Sequence, residues 1–517
     1  MQIDVIDTEK GLAALAATWD AVYLRDPEAT FFLSGSWLRQ TLAGRGTGWC
    51  VLAAKLDSGS DYVAFFPLRI DVRWSRNRSR LVNDIHMAGS FAWADYTGFI
   101  CDPAHEDGAI PALAEHLQSM RWTSLHLRHF NASPRRVELF TAAFDRQTFN
   151  FEHRRANEAT PEVNNEICPY VDLPTNFDVY LREKTSANTR QKIRRFLRQV
   201  DGSTDFRISE CTPESCERDL DVLVSFWKQA WAHRKGKETD HLGKRYRSIL
   251  QQAMAVGALY LPVLWRGDAP LGALAHFVDR QKASLLYFVA GRDDAGNNPP
   301  PGLVLHAHSI RWAIANGLRT YDFLRGNESF KYSYGVSERR ITNTSLRTRT
   351  GDNLHDKLDP SCVEAALQLV TQLKKDQHPQ HAAAACQQLI EACPDHPAVL
   401  RRYSRLLYEL ERFAASQRLS RRLLELEPGD DSAWRLLGKA LLAQHEFAQA
   451  EEALRKALTL RPTISGHFHL ARALERQGKE SQAAAEREAI LHMSPRGRRE
   501  QKQQRETHRS LGLPVRG

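Results

Sequence analysis

Three short apolar runs, Ala258 to Trp265, Gly272 to Val278 and Ser284 to Ala290, are separated by the polar segments Arg266-Gly267-Asp268-Ala269-Pro270 and Asp279-Arg280-Gln281-Lys282. Runs this short, bounded by turn residues, predict three antiparallel strands. A Pro-rich loop, Asn297-Asn298-Pro299-Pro300-Pro301-Gly302, then opens a stretch with Leu303, Ala307, Ile310 and Ile314 on one helical face, stopped by Gly317. A strand follows at Arg319 to Leu324. The same order occurs earlier: strands at Cys50 to Leu56, Tyr62 to Val72 and Tyr96 to Cys101, a helix at Ala109 to Ser119, and a strand at Ser124 to Arg128. Two α/β (α+β) units with mixed sheets are expected, over 1–160 and 165–352.

The C-terminal third changes period. Pro394, Pro428, Pro462 and Pro495 recur at intervals of 34, 34 and 33 residues, the spacing of a tetratricopeptide helix pair. In the repeat ending at Pro462, Trp434, Leu437, Gly438, Leu441, Ala450 and Ala457 fall on that motif's large and small positions. An all-α solenoid over 361–497 is expected, with a groove for a protein partner. The basic segment 498–517 is expected to be a flexible tail.

Composition narrows the partners. A chain of 517 residues, 42% hydrophobic and 26% charged, is globular and long enough for several domains. Its net charge of +9 suits an anionic partner. The eight cysteines show no C-x-x-C pair or zinc-ligand spacing, so reduced thiols and no metal are expected. No apolar run is long enough for a transmembrane segment. Asp4 and Asp7 stand where a secretion leader needs basic residues, and a cytoplasmic location is expected.

Between Asn176 and Arg349 the chain carries Phe177-Asp178-Val179-Tyr180-Leu181, Ser186-Ala187-Asn188-Thr189-Arg190-Gln191-Lys192-Ile193-Arg194-Arg195 and Pro301-Gly302-Leu303-Val304-Leu305. These are followed by Tyr321-Asp322-Phe323-Leu324, Gly326, Glu328, Phe330-Lys331 and Tyr334. Together with Phe66-Pro67-Leu68 and Asp95-Tyr96 in the first unit, these segments resemble the tandem GNAT acyltransferases of the FemAB-like and BioF2-like kind. The resemblance implies acyl transfer from acetyl-CoA or another acyl-CoA to an amino-sugar, glycan precursor or similar small molecule. FemAB-like relatives use aminoacyl-tRNA instead, so tRNA is the alternative donor. A non-catalytic scaffold whose repeats bind a protein is the other alternative.

Acyl transfer needs a base and a partner for the developing oxyanion. His276 and Asp322 are the candidate bases. The resemblance makes Lys331, after Phe330, the candidate oxyanion partner. Arg292, Gly302 and Leu303 stand where GNAT enzymes cradle the donor's pyrophosphate at a helix N-terminus, although the usual glycine-rich string is absent and three prolines remove amide donors. Arg190, Arg194 and Arg195 crowd one helix and, with Tyr334, are the candidate substrate contacts.

Overall fold

The computed structural model of the chain describes residues 1–153, 163–293, 298–495 and 497–510. Asn297 of the expected donor loop, the end of the first unit at 154–160 and the tail segment 511–517 lie outside the described residues. The structure divides into two compact units, one of 1–70 with 84–351 and one of 71–83 with 352–517.

The first unit contains two sheets. Strands β1 (Gln2–Ile6), β2 (Trp49–Lys55), β3 (Tyr62–Ser75), β4 (Arg80–Met87), β5 (Ile100–Cys101), β6 (Ser124–Phe130) and β7 (Phe149–His153) belong to one. Strands β8 (Ile167–Asp172), β9 (Phe206–Glu210), β10 (Leu259–Tyr260), β11 (Pro262–Arg266), β12 (Ala269–Asp279), β13 (Ser284–Arg292), β14 (Thr320–Asp322) and β15 (Ser337–Arg340) form the other. The last strand, β16 (Thr342–Thr348), returns to the first sheet between β6 and β7. The expected boundaries are corrected here, because 342–348 complete the first sheet rather than the second half.

The two sheets share one plan. The first runs β1-β2-β3-β4-β6-β16-β7 with β5 against β3, and the second runs β9-β11-β12-β13-β14-β8-β15 with β10 against β12. In each, one adjacent pair is parallel, β4 with β6 and β13 with β14, and every other registered pairing is antiparallel.

Helices α1 (Glu9–Ala14), α2 (Ala16–Arg25), α3 (Gly35–Leu42), α4 (Glu106–Ser119) and α5 (Pro134–Thr141) accompany the first sheet. The second carries α6 (Phe177–Lys184), α7 (Ala187–Asp201), α8 (Cys216–Lys235), α9 (Thr239–Ala255), α10 (Pro301–Ala315) and α11 (Ser329–Tyr332). Ser186 caps α7 by accepting from the Thr189 amide, and Ile193, Phe196, Leu197 and Val200 form its buried stripe. Helix α10 is buried on more than the one face expected: Val304, Leu305, His306, Ala307, Ser309, Ile310 and Ala313 are all inside. A core joins the halves, with Phe31 stacked on Phe277 at 4.9 Å and the Tyr96 hydroxyl donating to Asp322 at 2.8 Å.

The second unit stacks helix pairs α12 (Val363–Lys375) with α13 (Pro379–Ala392), α14 (Pro397–Glu409) with α15 (Phe413–Leu426), α16 (Asp431–Ala443) with α17 (Phe447–Leu460), and α18 (Ile464–Glu475) with α19 (Glu480–Leu491). The small residues serve close approach: a Cβ on Gly438 of α16 would lie 2.5 Å from Leu454 of α17. The tip of the β3–β4 hairpin belongs to this unit, where Leu81 joins the core of the first repeat and its amide donates to Gln388 at 2.7 Å. The expected flexible tail is corrected in part: α20 (Arg498–Ser510) is helical, and Gln504 bonds the α19 end through the carbonyls of Ile490 and Met493.

Candidate active site

The parallel pair in the second half builds the site. Strand β13 pairs with β14 only at Ser284, Leu285 and Leu286, opposite Thr320, Tyr321 and Asp322. Beyond those positions the strands part, and Tyr287 to Arg292 on one side and Phe323 to Arg325 on the other line a cavity of 970 Å³. One residue more stands on β13 than on β12 across the Ala275/His276 shift, a bulge that re-aims Phe288 into the cavity. Gly291 is needed where β13 meets α8, since a Cβ there would lie 2.4 Å from the Leu223 carbonyl.

The N-terminus of α10 forms the cavity's anion-facing end. Pro300 and Pro301 open the helix, and the first helical amide to find an acceptor is Val304, which donates to Pro300. The Gly302 and Leu303 amides therefore have no intrahelical acceptor, and both residues line the cavity with Arg292. Two amides and the positive end of the helix dipole remain for an anion.

A buried relay crosses the sheet beneath this opening. Nδ1 of His276 bonds the Tyr260 carbonyl at 3.3 Å, its Nε2 bonds the Tyr321 hydroxyl at 2.9 Å, and that hydroxyl bonds Nδ1 of His306 at 2.8 Å. A carbonyl only accepts, so the direction is forced: His276 donates from Nδ1, Tyr321 donates to His276, and His306 donates to Tyr321. His306 is left with an unprotonated Nε2. Burial pulls His276 down to about 3 and His306 well below the usual imidazole range, His276 and Lys331 adding to the shift of His306. Both rings are neutral bases near pH 7.

Of the residues singled out in the sequence, Arg292, Gly302, Leu303, Lys331 and Tyr334 line the cavity. His276 stands one step behind it, and His306 supplies the ring at the wall. Asp322 occupies the opposite face of β14, accepting from Tyr96, from the Leu324 amide at 2.7 Å and from Arg339 at 3.3 Å. Alternation along the strand sends Tyr321 to the cavity side and Asp322 away, so Asp322 is not positioned as a base. Arg190 bonds the Leu181 and Arg182 carbonyls, Arg194 pairs with Asp178 at 2.8 Å, and Arg195 lies over Phe196 at 4.3 Å. None of the three lines the cavity.

Lys331 is buried, and its ammonium donates to the carbonyls of Phe323 at 3.1 Å, Arg325 at 2.9 Å and Gly326 at 2.9 Å, with Glu328 at 2.9 Å. Three N–H groups face four acceptors, three carbonyls and the Glu328 carboxylate. This is the geometry of a residue that positions the cavity-lining turn after β14, with no proton left for an oxyanion. The turn needs such support, because Leu324 and Gly326 both have positive φ, 55° and 97°.

Sequence reasoning missed His306, one helical turn beyond Gly302, because periodicity assigns that face to packing. It also missed the ion pair of Arg325 with Asp95 at 2.6 Å, which ties the halves together at the cavity wall. Beyond that pair, His86, Ser90, Trp93, His126, His129 and their neighbours line a second cavity of 550 Å³ that shares Asp95, Asn165, Tyr246, Phe288 and Arg325 with the first. Three arginines gather beside Ser90 and Trp93. Arg45 and Arg69 lie over the Phe91 ring at 4.1 and 4.8 Å, and Arg245 lies over Trp93 at 4.3 Å. Burial, then repulsion from Arg69 and Arg245, lowers Arg45 from the usual guanidinium range; burial and Arg69 do the same to Arg245.

A family described as "Acetyltransferase (GNAT) domain" matches residues 187–332, and one described as "Tetratricopeptide repeat" matches 432–464. Among solved structures, FemX is similar over 67% of this chain and 97% of its own, at 10% identity and a TM-score of 0.45. MamA from Desulfovibrio magneticus RS-1 is similar over 26% of this chain and 76% of its own, at 24% identity and a TM-score of 0.25. TTC0263, a thermophilic TPR protein in Thermus thermophilus, is similar over 29% of this chain and 83% of its own, at 17% identity and a TM-score of 0.26. No curated protein matches the chain. The chain carries a transferase domain of the GNAT acetyltransferase type over residues 187–332 and a tetratricopeptide repeat in its helical region.

Proposed function

We propose that the protein is an acyl-CoA-dependent N- or O-acyltransferase acting on an amino-sugar, glycan precursor or similar metabolite. The observation that carries this reading is the parting of β13 and β14 over the N-terminus of α10. Among the described residues, the β13 edge facing β14 has no strand partner beyond Leu286, and an amide-bearing donor arm fits such an edge in extended form. The donor's phosphates would meet the Gly302 and Leu303 amides and Arg292.

The acceptor would enter from the second cavity, and Arg45, Arg69 and Arg245, gathered over Phe91 and Trp93 beside it, would favour an anionic group on that acceptor. Its amine or hydroxyl attacks the thioester carbon, His306 Nε2 takes the acceptor's proton, the C–S bond breaks, and the thiolate is protonated from water. Burial pushes the Tyr334 phenol up, so it keeps its proton and can donate a hydrogen bond to the leaving sulfur. Lys331 acts through the turn it holds, as a positioning residue. Lys374, Lys375, Arg401, Arg402 and Arg405 line a groove of the helical array, which suits an acidic segment of a protein partner.

Thermal melting of the full chain with acetyl-CoA, a longer acyl-CoA and aminoacyl-tRNA tests the donor. An acyl-CoA at 100 times its Kd should add about 2.7 kcal/mol to native stability, and Gly302→Pro should reduce that gain by removing one amide. A shift with aminoacyl-tRNA and none with any acyl-CoA would transfer the reading to aminoacyl transfer. No shift with either would leave the scaffold alternative.

A further inference from the structure

Alternation along two central strands of the first sheet gathers Asp84, His86 and His126, the two histidines lining the second cavity and none of the three lining the first. Asp84 and His86 are two positions apart on β4 and project from one face. The parallel register sets His86 beside His126 of β6. Ile85 and Leu125, the intervening residues, turn to the other face and are fully buried. The two imidazoles stack with centroids 4.6 Å apart. One ligand atom from each of the three residues lies within 4.8 Å of the others. Across β6, Ser345 of β16 stands opposite His126 and its hydroxyl bonds Nδ1 at 2.9 Å.

We propose that Asp84, His86 and His126 bind a divalent transition-metal ion, Zn²⁺ by the chemistry of the donors, with a coordination position open to the second cavity. Two imidazoles and one carboxylate are a zinc donor set, and three protein ligands leave the fourth position for water or a ligand oxygen. Nitrogen or oxygen atoms on one tetrahedral zinc lie roughly 3.4 Å apart at bonds of about 2.0–2.1 Å, so modest ring rotation closes the set. The Ser345 contact to Nδ1 fixes the ring and directs Nε2 of His126 to the metal, the role of an outer partner in a zinc site. His86 and His126 both line the second cavity, so an open position there would take water or an acceptor hydroxyl. Metal binding is read without acyl transfer, and its outcome is separate from that of the donor assignment.

The test uses the full-length chain, stripped with a chelator and desalted. Zn²⁺ is titrated against a chromophoric chelator, and Co²⁺ serves as a spectroscopic substitute. One tight equivalent is expected, with ligand-field bands of bound Co²⁺ and no thiolate charge-transfer band from the eight cysteines. His86→Gln and His126→Gln should each weaken binding by about 100-fold or more, and Ser345→Ala by roughly 10–100-fold. Absence of tight uptake by the wild type, a thiolate band, or affinity unchanged in the histidine variants would overturn the site. Should a histidine variant fail to fold, the wild-type Co²⁺ spectrum and the affinity of Ser345→Ala decide.

Discussion

The two halves of the first unit answer the same topological problem in opposite ways. Each has one parallel strand pair joined through a helix, with three registered residue pairs, Asp84 to His86 against Ser124 to His126 and Ser284 to Leu286 against Thr320 to Asp322. In the second half the strands part and leave the 970 Å³ cavity. In the first half Thr97 closes the seam on β6: its amide donates to the His129 carbonyl, its carbonyl accepts from the Asn131 amide, and its hydroxyl donates to the Arg128 carbonyl. The helix N-termini differ as well. Helix α4 begins with Glu106 and Asp107, paired to Arg136 and Arg135, whereas α10 begins with Pro301 and Gly302 and has no acidic residue in its first turn. A repeated topology therefore does not repeat a site. Backbone access and the charge at one helix end separate the closed half from the open one.

The largest expected effect is acid sensitivity concentrated in the open half. His276 at about 3, His308 at about 4 and His306 well below the usual imidazole range are held neutral in the fold by burial. In the closed half His129, at about 4, and His116 are shifted the same way. A histidine whose folded pKa is lowered contributes stability that is present above the unfolded value near 6.5 and is lost as pH falls below it. His276, His306 and His308, and His129 in the closed half, should each cost roughly 2 kcal/mol by pH 5, at about 1.4 kcal/mol per pH unit. Hydrogen exchange between pH 7 and 5 should show β12, β13 and β14 losing protection before β2, β3 and β6. Simultaneous loss, or the reverse order, would break the contrast.

A smaller effect should follow from giving the open half the closed half's charge. Gly302→Glu places a carboxylate at the start of α10, where a Cβ would stand 3.1 Å from Arg292 Nη1. The new carboxylate would meet the helix dipole and Arg292 in place of a phosphate. Donor affinity should fall by about 10-fold, near 1.4 kcal/mol, within the range of partly buried dipole interactions. Calorimetry with acetyl-CoA reads it, and the melting temperature without donor should hardly move. Unchanged affinity would place the anion elsewhere.

How much of this contrast is legible in the chain depends on whether a feature is local. The β11–β12–β13 meander and α10 are apolar runs with turns between them, and the 34-residue period announces the helix pairs. Strand β4 is not legible in that way, because Asp84 and His86 give it one polar face and Asn83 interrupts the apolar pattern of the other. The return of β16 to the first sheet is a pairing between strands far apart in sequence, which no local window carries. Tyr96 to Cys101 reads as one strand, but only Ile100–Cys101 pairs so, since Thr97 bridges to β6 and Gly98 takes a φ of 144°. Among the site residues, Arg292, Gly302 and Leu303 are legible as a helix entrance. The role of Lys331 is not, because its carbonyl partners exist only after the turn at Leu324 and Gly326 has formed.

The smallest expected effect tests whether the closed seam depends on side chain or backbone. Thr97→Ala removes the hydroxyl bond to the Arg128 carbonyl at 2.6 Å but keeps both main-chain bonds, to His129 and from Asn131, each at 2.9 Å. Loss of one neutral hydrogen bond costs about 1 kcal/mol, and the Thr97 methyl that approaches Gly89 is lost with it. Stability should fall by about that amount in urea denaturation, with the slope unchanged because no new surface is exposed in the native state. Acetyl-CoA affinity should equal that of the wild type, since the backbone still fills the seam and α4 keeps Glu106 and Asp107 at its start. A second equivalent of bound acyl-CoA in Thr97→Ala would show that the side chain alone keeps the first half closed, and would replace the backbone explanation of the asymmetry with a steric one.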